Sequence, residues 1–299
     1  MPRAGGSLVG ASPLNPTPAA RPFLKWAGGK SQLLHELVPR VRAGMNGSGY
    51  HEPFIGGGAL FFALAAEGLL PPRVTLSDGN PNLVTVYLAV RDEVEPLIAL
   101  LADHKARHGK EHYYAVRAEV PEGAVARAAR FIYLNKTCFN GLYRENAKGL
   151  YNVPMGAYTN PEICDVPNLR AASAALAGAE ILCGDFGAVE QRVQPGDFVY
   201  FDPPYDPVSK TASFTAYAKG GFGEAEQTRL ALLVGRLADG GVNVLLSNSM
   251  TPLVRALYGQ YTLETVLASR AVNSKADRRG KIEEALVTVA ARERDPSGA

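Results

Sequence analysis

The stretch Phe198-Val199-Tyr200-Phe201-Asp202-Pro203-Pro204-Tyr205 sets the frame for the rest of the chain. Four bulky residues of high strand propensity predict a buried strand. Pro203 and Pro204, with restricted φ and no amide hydrogen, cut that strand off just after Asp202. Asp202, the peptide carbonyls and Tyr205 are thereby held at a strand's C-terminal edge, where open α/β sheets bind ligands. Taken alone the segment is a stiff Asp-Pro turn. Its neighbours give it a chemistry.

Working outward, Val242 to Ser249 reads as a central strand and Ile282 to Val289 as a late one. Between Asp202 and these lie a loop over Thr211 to Tyr217 and a helix over Glu224 to Leu237, with Leu230, Leu233, Val234 and Leu237 inward. Upstream, Tyr50-His51-Glu52-Pro53-Phe54-Ile55-Gly56-Gly57-Gly58-Ala59 combines a short strand, three glycines and a helix start over Leu60 to Ala66. In such a unit the backbone lies close to a nucleotide-like ligand. Arg73 to Asp78 is a further strand ending in an acid, 22 residues after Gly56, the offset at which an acid takes two ribose hydroxyls. Ala179 to Phe186 is another strand running into an acid. Asp185 can accept from an adenine amino group there, and Phe186 can lie on the ring. Strands alternating with helices predict an α/β fold with a doubly wound, mostly parallel, Rossmann-like sheet.

The adenosine reading fits both a nicotinamide dinucleotide and S-adenosylmethionine. The loop is not GxGxxG, and Glu52 has no use beside a pyrophosphate but can pair with a sulfonium or ammonium group. This favours S-adenosylmethionine. Pro22-Phe23-Leu24-Lys25-Trp26-Ala27-Gly28-Gly29-Lys30-Ser31 places the sole tryptophan beside a Gly-Gly turn, before a helix-like run over Gln32 to Val38. Trp26 is either a core anchor or a wall for a flat heterocycle. The GxxxxGK[ST] spacing of a triphosphate loop is missing, so an ATPase is a poor reading.

The 299 residues suffice for one large domain or two smaller ones, and 46% hydrophobic content with a mean hydropathy of -0.05 suits a soluble globular chain. No apolar run approaches the roughly 18–20 residues of a membrane helix. Residues 1–20 are rich in Gly, Ala, Pro and Ser, lack a signal-peptide core, and predict a disordered tail. Cys138, Cys164 and Cys183 show no CxxC spacing, which points to reduced thiols in a cytoplasm. The net charge of +2 announces no polyanion partner by itself, but two basic islands, 101–150 and 268–282, each carry a surplus of four positive charges. Their clustering suits a nucleic-acid groove.

Asn80 to about Arg130 reads as helical, with Gly109 and Pro121-Glu122-Gly123 as breaks, and interrupts the strand–helix alternation as an inserted domain does. Phe131 to Leu134 leads into Asn135-Lys136-Thr137-Cys138-Phe139-Asn140-Gly141-Leu142-Tyr143-Arg144. Asn140-Gly141 and Lys148-Gly149 are tight-turn signals, so 135–154 predicts a hairpin-rich loop displaying aromatics, amides and an arginine. Those side chains read base edges or wedge between them. A generic surface hairpin is the plainer alternative.

Taken together, Phe23 to Lys30, Glu52 to Gly58, Asn140 to Arg144, Asn152-Val153-Pro154 and Asp202 to Tyr205 resemble the Dam-like, D12-class family of DNA adenine-N6 methyltransferases. The resemblance covers about 21–289, and Gly57 departs from it where another small residue is usual. The tail at 1–20 lies outside the resemblance; within it are implied a catalytic domain over 21–80 and 161–292, and a target-recognition insert over 81–160. It implies S-adenosyl-L-methionine as methyl donor, S-adenosyl-L-homocysteine as product, and no metal. The cofactor residues would be Trp26, Lys30, Glu52, Phe54, Gly56, Gly58, Asp78, Asp185, Phe186 and Asp202. Asp202 and the Pro203 carbonyl, with Pro204 and Tyr205, would form the catalytic turn that holds a flipped-out adenine. Phe139 and Asn140 would wedge into double-stranded DNA, and Lys25, Leu142, Arg144, Pro154 and Tyr158 would lie at the recognised bases, with GATC as the implied site; in the second basic island, Arg278 and Arg279 are the expected phosphate contacts.

Further expectations are a monomer, a cytoplasmic, nucleoid-associated location, no membrane, and a cognate restriction endonuclease as a partner in function only. Alternatives are a restriction–modification adenine methyltransferase with another target, a protein-glutamine methyltransferase, a catalytically silent DNA-binding regulator, and a dehydrogenase. A ring-carbon cytosine methyltransferase needs a thiol nucleophile, in that family after a proline; Thr137, Ile163 and Leu182 precede the cysteines here.

Overall fold

A computed structural model describes residues 19–46, 49–146, 148–207, 222–269 and 281–292. The tail to residue 18, the loop read over Thr211 to Tyr217, and Arg278 and Arg279 lie outside the described residues. Among the described residues no helix is long and apolar enough to cross a membrane.

Seven strands form one sheet: β1 (Gly49–Glu52), β2 (Arg73–Asp78), β3 (Ala179–Cys183), β4 (Phe198–Phe201), β5 (Asn243–Ser249), β6 (Thr262–Ser269) and β7 (Lys281–Val289), in the order β3-β2-β1-β4-β5-β7-β6. The first five are mutually parallel, while β7 runs antiparallel between β5 and β6. The mostly parallel sheet is as expected from the alternation. β6 was not legible: Leu263, Val266 and Leu267 do not alternate, because β6 is an edge strand with Val266 buried and Leu267 exposed.

The period of two sorts the side chains into two cores. Tyr50, Val74, Leu76, Ile181, Tyr200, Leu245 and Leu286 face one layer. It contains α1 (Leu34–Gly44), α2 (Ala59–Ala66), α3 (Pro81–Asp92) and α7 (Val166–Leu176). Val199, Phe201, Val244, Leu246, Ala285 and Val287 face α8 (Glu224–Asp239) and α9 (Pro252–Tyr258) on the other. The apolar spacing of α8 buries the four residues expected of it. Its 3.6-residue period brings one stripe to the sheet.

The expected helical block resolves into α3, α4 (Val94–Ala106), α5 (Lys110–Ala118) and α6 (Ala124–Thr137). Asn80 starts α3, its side chain accepting from the Asn82 and Leu83 amides at 3.0 and 3.3 Å, with Pro81 as first residue. α6 runs seven residues past Arg130, since Phe131, Ile132, Tyr133 and Leu134 are buried and continue its inward face. It packs on α3, α4 and α5, while α3 also packs on β2, β3 and α7. The helices and the sheet therefore share one continuous core.

Candidate active site

β1 and β4 are adjacent parallel strands whose following segments diverge, which opens a crevice at their C-terminal ends. β1 delivers Glu52 and the glycine loop to it, and β4 delivers Asp202 to Tyr205. Lys30 Nζ lies 2.8 Å from Asp202 Oδ1 and donates to the Gly28 carbonyl at 2.5 Å. It also sits 4.6 Å from the centre of the Tyr205 ring. Ser247 Oγ on β5 donates to the same Asp202 oxygen at 2.7 Å. Its own oxygen lies 3.0 Å from the buried Tyr200 hydroxyl, which must then be the donor. These contacts gather on Oδ1 of a carboxylate that is 20% exposed.

The proline turn is fixed from behind. Gln227 Nε2 on α8 donates to the Pro204 carbonyl at 3.0 Å, Asn248 Nδ2 donates to Gln227 Oε1 at 3.0 Å, and Asn248 Oδ1 accepts from the Asp206 amide at 3.0 Å. Both amide side chains are buried. Tyr205 donates to Glu284 Oε2 at 2.6 Å. Gln227, Ser247, Asn248 and Glu284 were missed in the sequence. The polar triplet Ser247-Asn248-Ser249 closing an otherwise apolar central strand was the available signal.

Glu52 is 2% exposed and accepts from Tyr50 at 2.8 Å. Burial pushes its carboxyl up to about 8, against the Tyr50 bond and together with the neighbouring Asp202 charge. Asp78 accepts from the Gly56 amide at 3.2 Å and the Asn80 amide at 2.9 Å, and burial raises it despite both bonds. Gly56 (φ +48°) and Gly58 (φ +68°) occupy the left-handed region. A Cβ on Gly56 would stand 2.8 Å from Trp26 Cδ1, so this glycine admits the indole. Trp26 stacks on Phe131 and Tyr143, with centroids 6.3 and 6.0 Å away.

Phe54 stacks on Phe186 at 5.4 Å. Asp185, read as an acceptor for an adenine amino group, is held bidentately by Arg229 at 2.8 and 2.6 Å and also caps the Gly187 amide at 2.8 Å. Arg229 lies 3.9 Å above the Phe186 ring.

The remaining candidates gather at the end of the helical block. Cys138 pairs with Met155 and Glu145 with Tyr151, both antiparallel, and Asn140 has φ 55°, as Asn-Gly turns require. The tip leaves Phe139 47% exposed, with Leu142, Arg144 and Pro154 also exposed. Arg144 Nε donates to Asn152 Oδ1 at 2.7 Å. Lys25 Nζ lies 3.8 Å from the centre of the Tyr158 ring. Buried Asn135 ties Lys25 to this hairpin: its Oδ1 accepts from Lys25 N at 2.8 Å, and its Nδ2 donates to the carbonyls of Lys25 and Gly141 at 2.7 and 3.2 Å. From behind, Tyr113 and Arg117 on α5 donate to the Val153 carbonyl at 2.9 and 3.2 Å.

A doubly wound sheet with a carboxylate–proline turn at its switch point, joined to a hairpin-bearing helical block, is a Rossmann-like α/β architecture whose crevice lies at the strands' C-terminal ends. The model of the D12 class N6 adenine-specific DNA methyltransferase family matches residues 26–272, and the chain belongs to that family. It is 42% identical to the Type II methyltransferase M1.LlaDCHI of Lactococcus lactis subsp. cremoris over 276 residues, 90% of this chain and 95% of that protein. It is 42% identical to the Type II methyltransferase M.MjaIII of Methanocaldococcus jannaschii over 277 residues (87% and 95%). It is 34% identical to a DNA adenine methylase of Vibrio cholerae over 279 residues (89% and 95%). The protein is an adenine-specific DNA methyltransferase.

Proposed function

We propose that the protein uses S-adenosyl-L-methionine to methylate the N6 amino group of an adenine flipped out of duplex DNA, with GATC as the target. The donor fits this chain's residues: acidic Glu52, Asp78 and Asp202 line the crevice, and the buried Glu52, whose carboxyl is pushed up to about 8, is suited to a cationic ligand. When bound, this cofactor supplies an electrophilic methyl group on a sulfonium. Glu52 would face its cationic end, Asp78 its ribose hydroxyls, and Lys30 its carboxylate, beside Trp26 and the loop over Phe54, Gly56 and Gly58. Asp185 and Phe186 would border the base.

The observation that carries the reading is the Asp202 turn. The adenine amino nitrogen is a poor nucleophile because its lone pair is delocalised into the ring. Asp202 Oδ2 and the Pro203 carbonyl accept its two hydrogens, which favours a pyramidal nitrogen with its lone pair free. Ser247 and Lys30 hold the carboxylate for this, and Tyr205 stacks on the base, worth about 1–3 kcal/mol. Direct transfer needs no covalent enzyme intermediate and no metal. Phe139 and Asn140 fill the space left by the flipped base, a movement costing a few kcal/mol. Arg144, Leu142, Pro154, Lys25 and Tyr158 read neighbouring bases, and Arg278 and Arg279 contact phosphates. The recognition unit is 81–160, inserted between the catalytic segments 21–80 and 161–292, and the enzyme acts as a cytoplasmic monomer.

Incubation with labelled S-adenosylmethionine and duplex DNA, followed by modification-sensitive sequencing of host DNA, tests this. Label on adenine within GATC is expected. Cofactor binding without adenine labelling would overturn the reading. Because two relatives named above are type II methyltransferases, a methylated motif other than GATC, beside a cognate endonuclease, is the second reading.

A further inference from the structure

Past the tight turn at Asn140-Gly141 the side chains alternate: Leu142 and Arg144 are exposed, while Tyr143 and Glu145 are half-buried. The antiparallel bridge between Glu145 and Tyr151 makes this the first arm of the hairpin. An extended arm sends successive side chains to opposite faces. Whatever holds Tyr143 from behind therefore fixes the direction in which Leu142 and Arg144 project.

The Tyr143 ring stacks on Phe131 of α6 at 4.9 Å and on Trp26 at 6.0 Å between centres. Its hydroxyl donates to Glu145 Oε1 and accepts from Asn82 Nδ2 at 3.0 Å. The same Asn82 nitrogen donates to Glu145 Oε1 at 3.2 Å, which closes a triangle of polar groups over the ring's edge. A ring present only to fill space has no need of a hydroxyl that must find partners. Two of these contacts lead to the segments that follow β1 and β2. Trp26 lies against Gly56 and Gly57, where an added Cβ would stand 2.8 and 3.1 Å from it. Asn82 belongs to the first turn of α3, whose cap Asn80 donates its amide to Asp78 at 2.9 Å. Asn135, Tyr113 and Arg117 hold the backbone at Gly141 and Val153, on either side of the pair Tyr143-Arg144.

We infer that Tyr143 is a positioning residue for sequence choice: anchored on Trp26 and Asn82, it sets where Leu142 and Arg144 meet the duplex relative to the catalytic crevice. The inference rests on the reading of Arg144 as a base-reading side chain proposed above. Tyr143 acts through its neighbours, from the face of the arm turned away from them. Its loss should therefore appear as relaxed choice, because a reading side chain free to swing meets right and wrong bases with similar energy.

Single-turnover methylation of a randomised duplex library reads each variant's choice at every position. The base pair relaxed by Arg144→Ala is the reference. At that pair Tyr143→Ala should also relax choice, by about tenfold, the size of one base contact, and Tyr143→Phe, which keeps the stack, should relax it less. In the double variant the loss should exceed that of Arg144→Ala alone by no more than about twofold, since residues acting through one contact do not add. Should Tyr143→Ala fail to fold, Tyr143→Leu keeps the apolar volume without the planar stack or the hydroxyl, and should relax the same pair. Slower methylation at every sequence alike with choice intact, or additive losses in the double variant, overturns the inference and leaves the reading of Arg144 standing. An unaltered motif in Arg144→Ala refutes that reading, and the inference with it.

Discussion

Glu52 and Tyr50 share one face of β1, and the hydroxyl reaches the carboxyl from within the same strand. The folded value of about 8 lies above the 4.5 of an ordinary glutamate. The folded state thus holds this proton more tightly than the unfolded state. The resulting stabilisation is complete below pH of about 4.5 and is lost as pH rises through about 8. Denaturation midpoints of the ligand-free protein should fall over that window, and fall less in Glu52→Gln. A cation bound beside Glu52 should expel the proton, detected as proton release at pH 7 when binding heats are compared in buffers of different ionisation enthalpy. At the other carboxylate, Asp202→Ala should lower turnover by about 10²–10³-fold or more while DNA and cofactor still bind. Ser247→Ala removes one bond to Asp202 and should cost about tenfold. Unchanged single-turnover rates in both would place the active site elsewhere.

The elements act as brackets for the loops between them. The hairpin after α6 is held by Asn135 on one side and by Tyr113 and Arg117 on the other, all through backbone groups. Asn135→Ala leaves buried backbone groups of Lys25 and Gly141 without their partner, and should destabilise the protein by about 1–3 kcal/mol. A midpoint within error of wild type would show that water replaces the amide. Arg144→Ala touches only the exposed tip. It should relax sequence choice at one base pair, by roughly 1–3 kcal/mol of discrimination, without a comparable loss of non-specific affinity. Methylation mapping over a randomised duplex library reads this directly, and an unaltered motif would remove the hairpin from recognition.

At the scale of the molecule, the layer that buries Tyr50 and Leu76 of the sheet also buries Leu97, Tyr113, Ile132 and Tyr133 of the helical block. Neither part has a closed core without the other. Calorimetry should therefore show a single unfolding transition with matching calorimetric and van't Hoff enthalpies. Two resolved transitions would mean that the block folds independently, as inserted domains can.

Much of this was legible in local sequence. Phe198 to Tyr205 announces a strand and its forced end. Arg73 to Asp78 matches β2 from end to end, and the turn at Asn140-Gly141 follows from what those residues tolerate. Such signals are local because backbone preference, prolines and side-chain period act over a few residues. What surrounds Asp202 was not legible. Lys30, Ser247 and Glu284 come from segments 172, 45 and 82 residues away in sequence. Only the strand order brings β5 beside β4, with β7 on the far side of β5. The same holds for Asp185, which also meets Arg229 from α8, and for Gly56, whose missing side chain makes room for Trp26. The chain by itself determined the class of fold, the two ends of the crevice and the turn that carries the chemistry. Tertiary structure alone decided which polar groups pair with which, because pairing depends on contacts between distant segments.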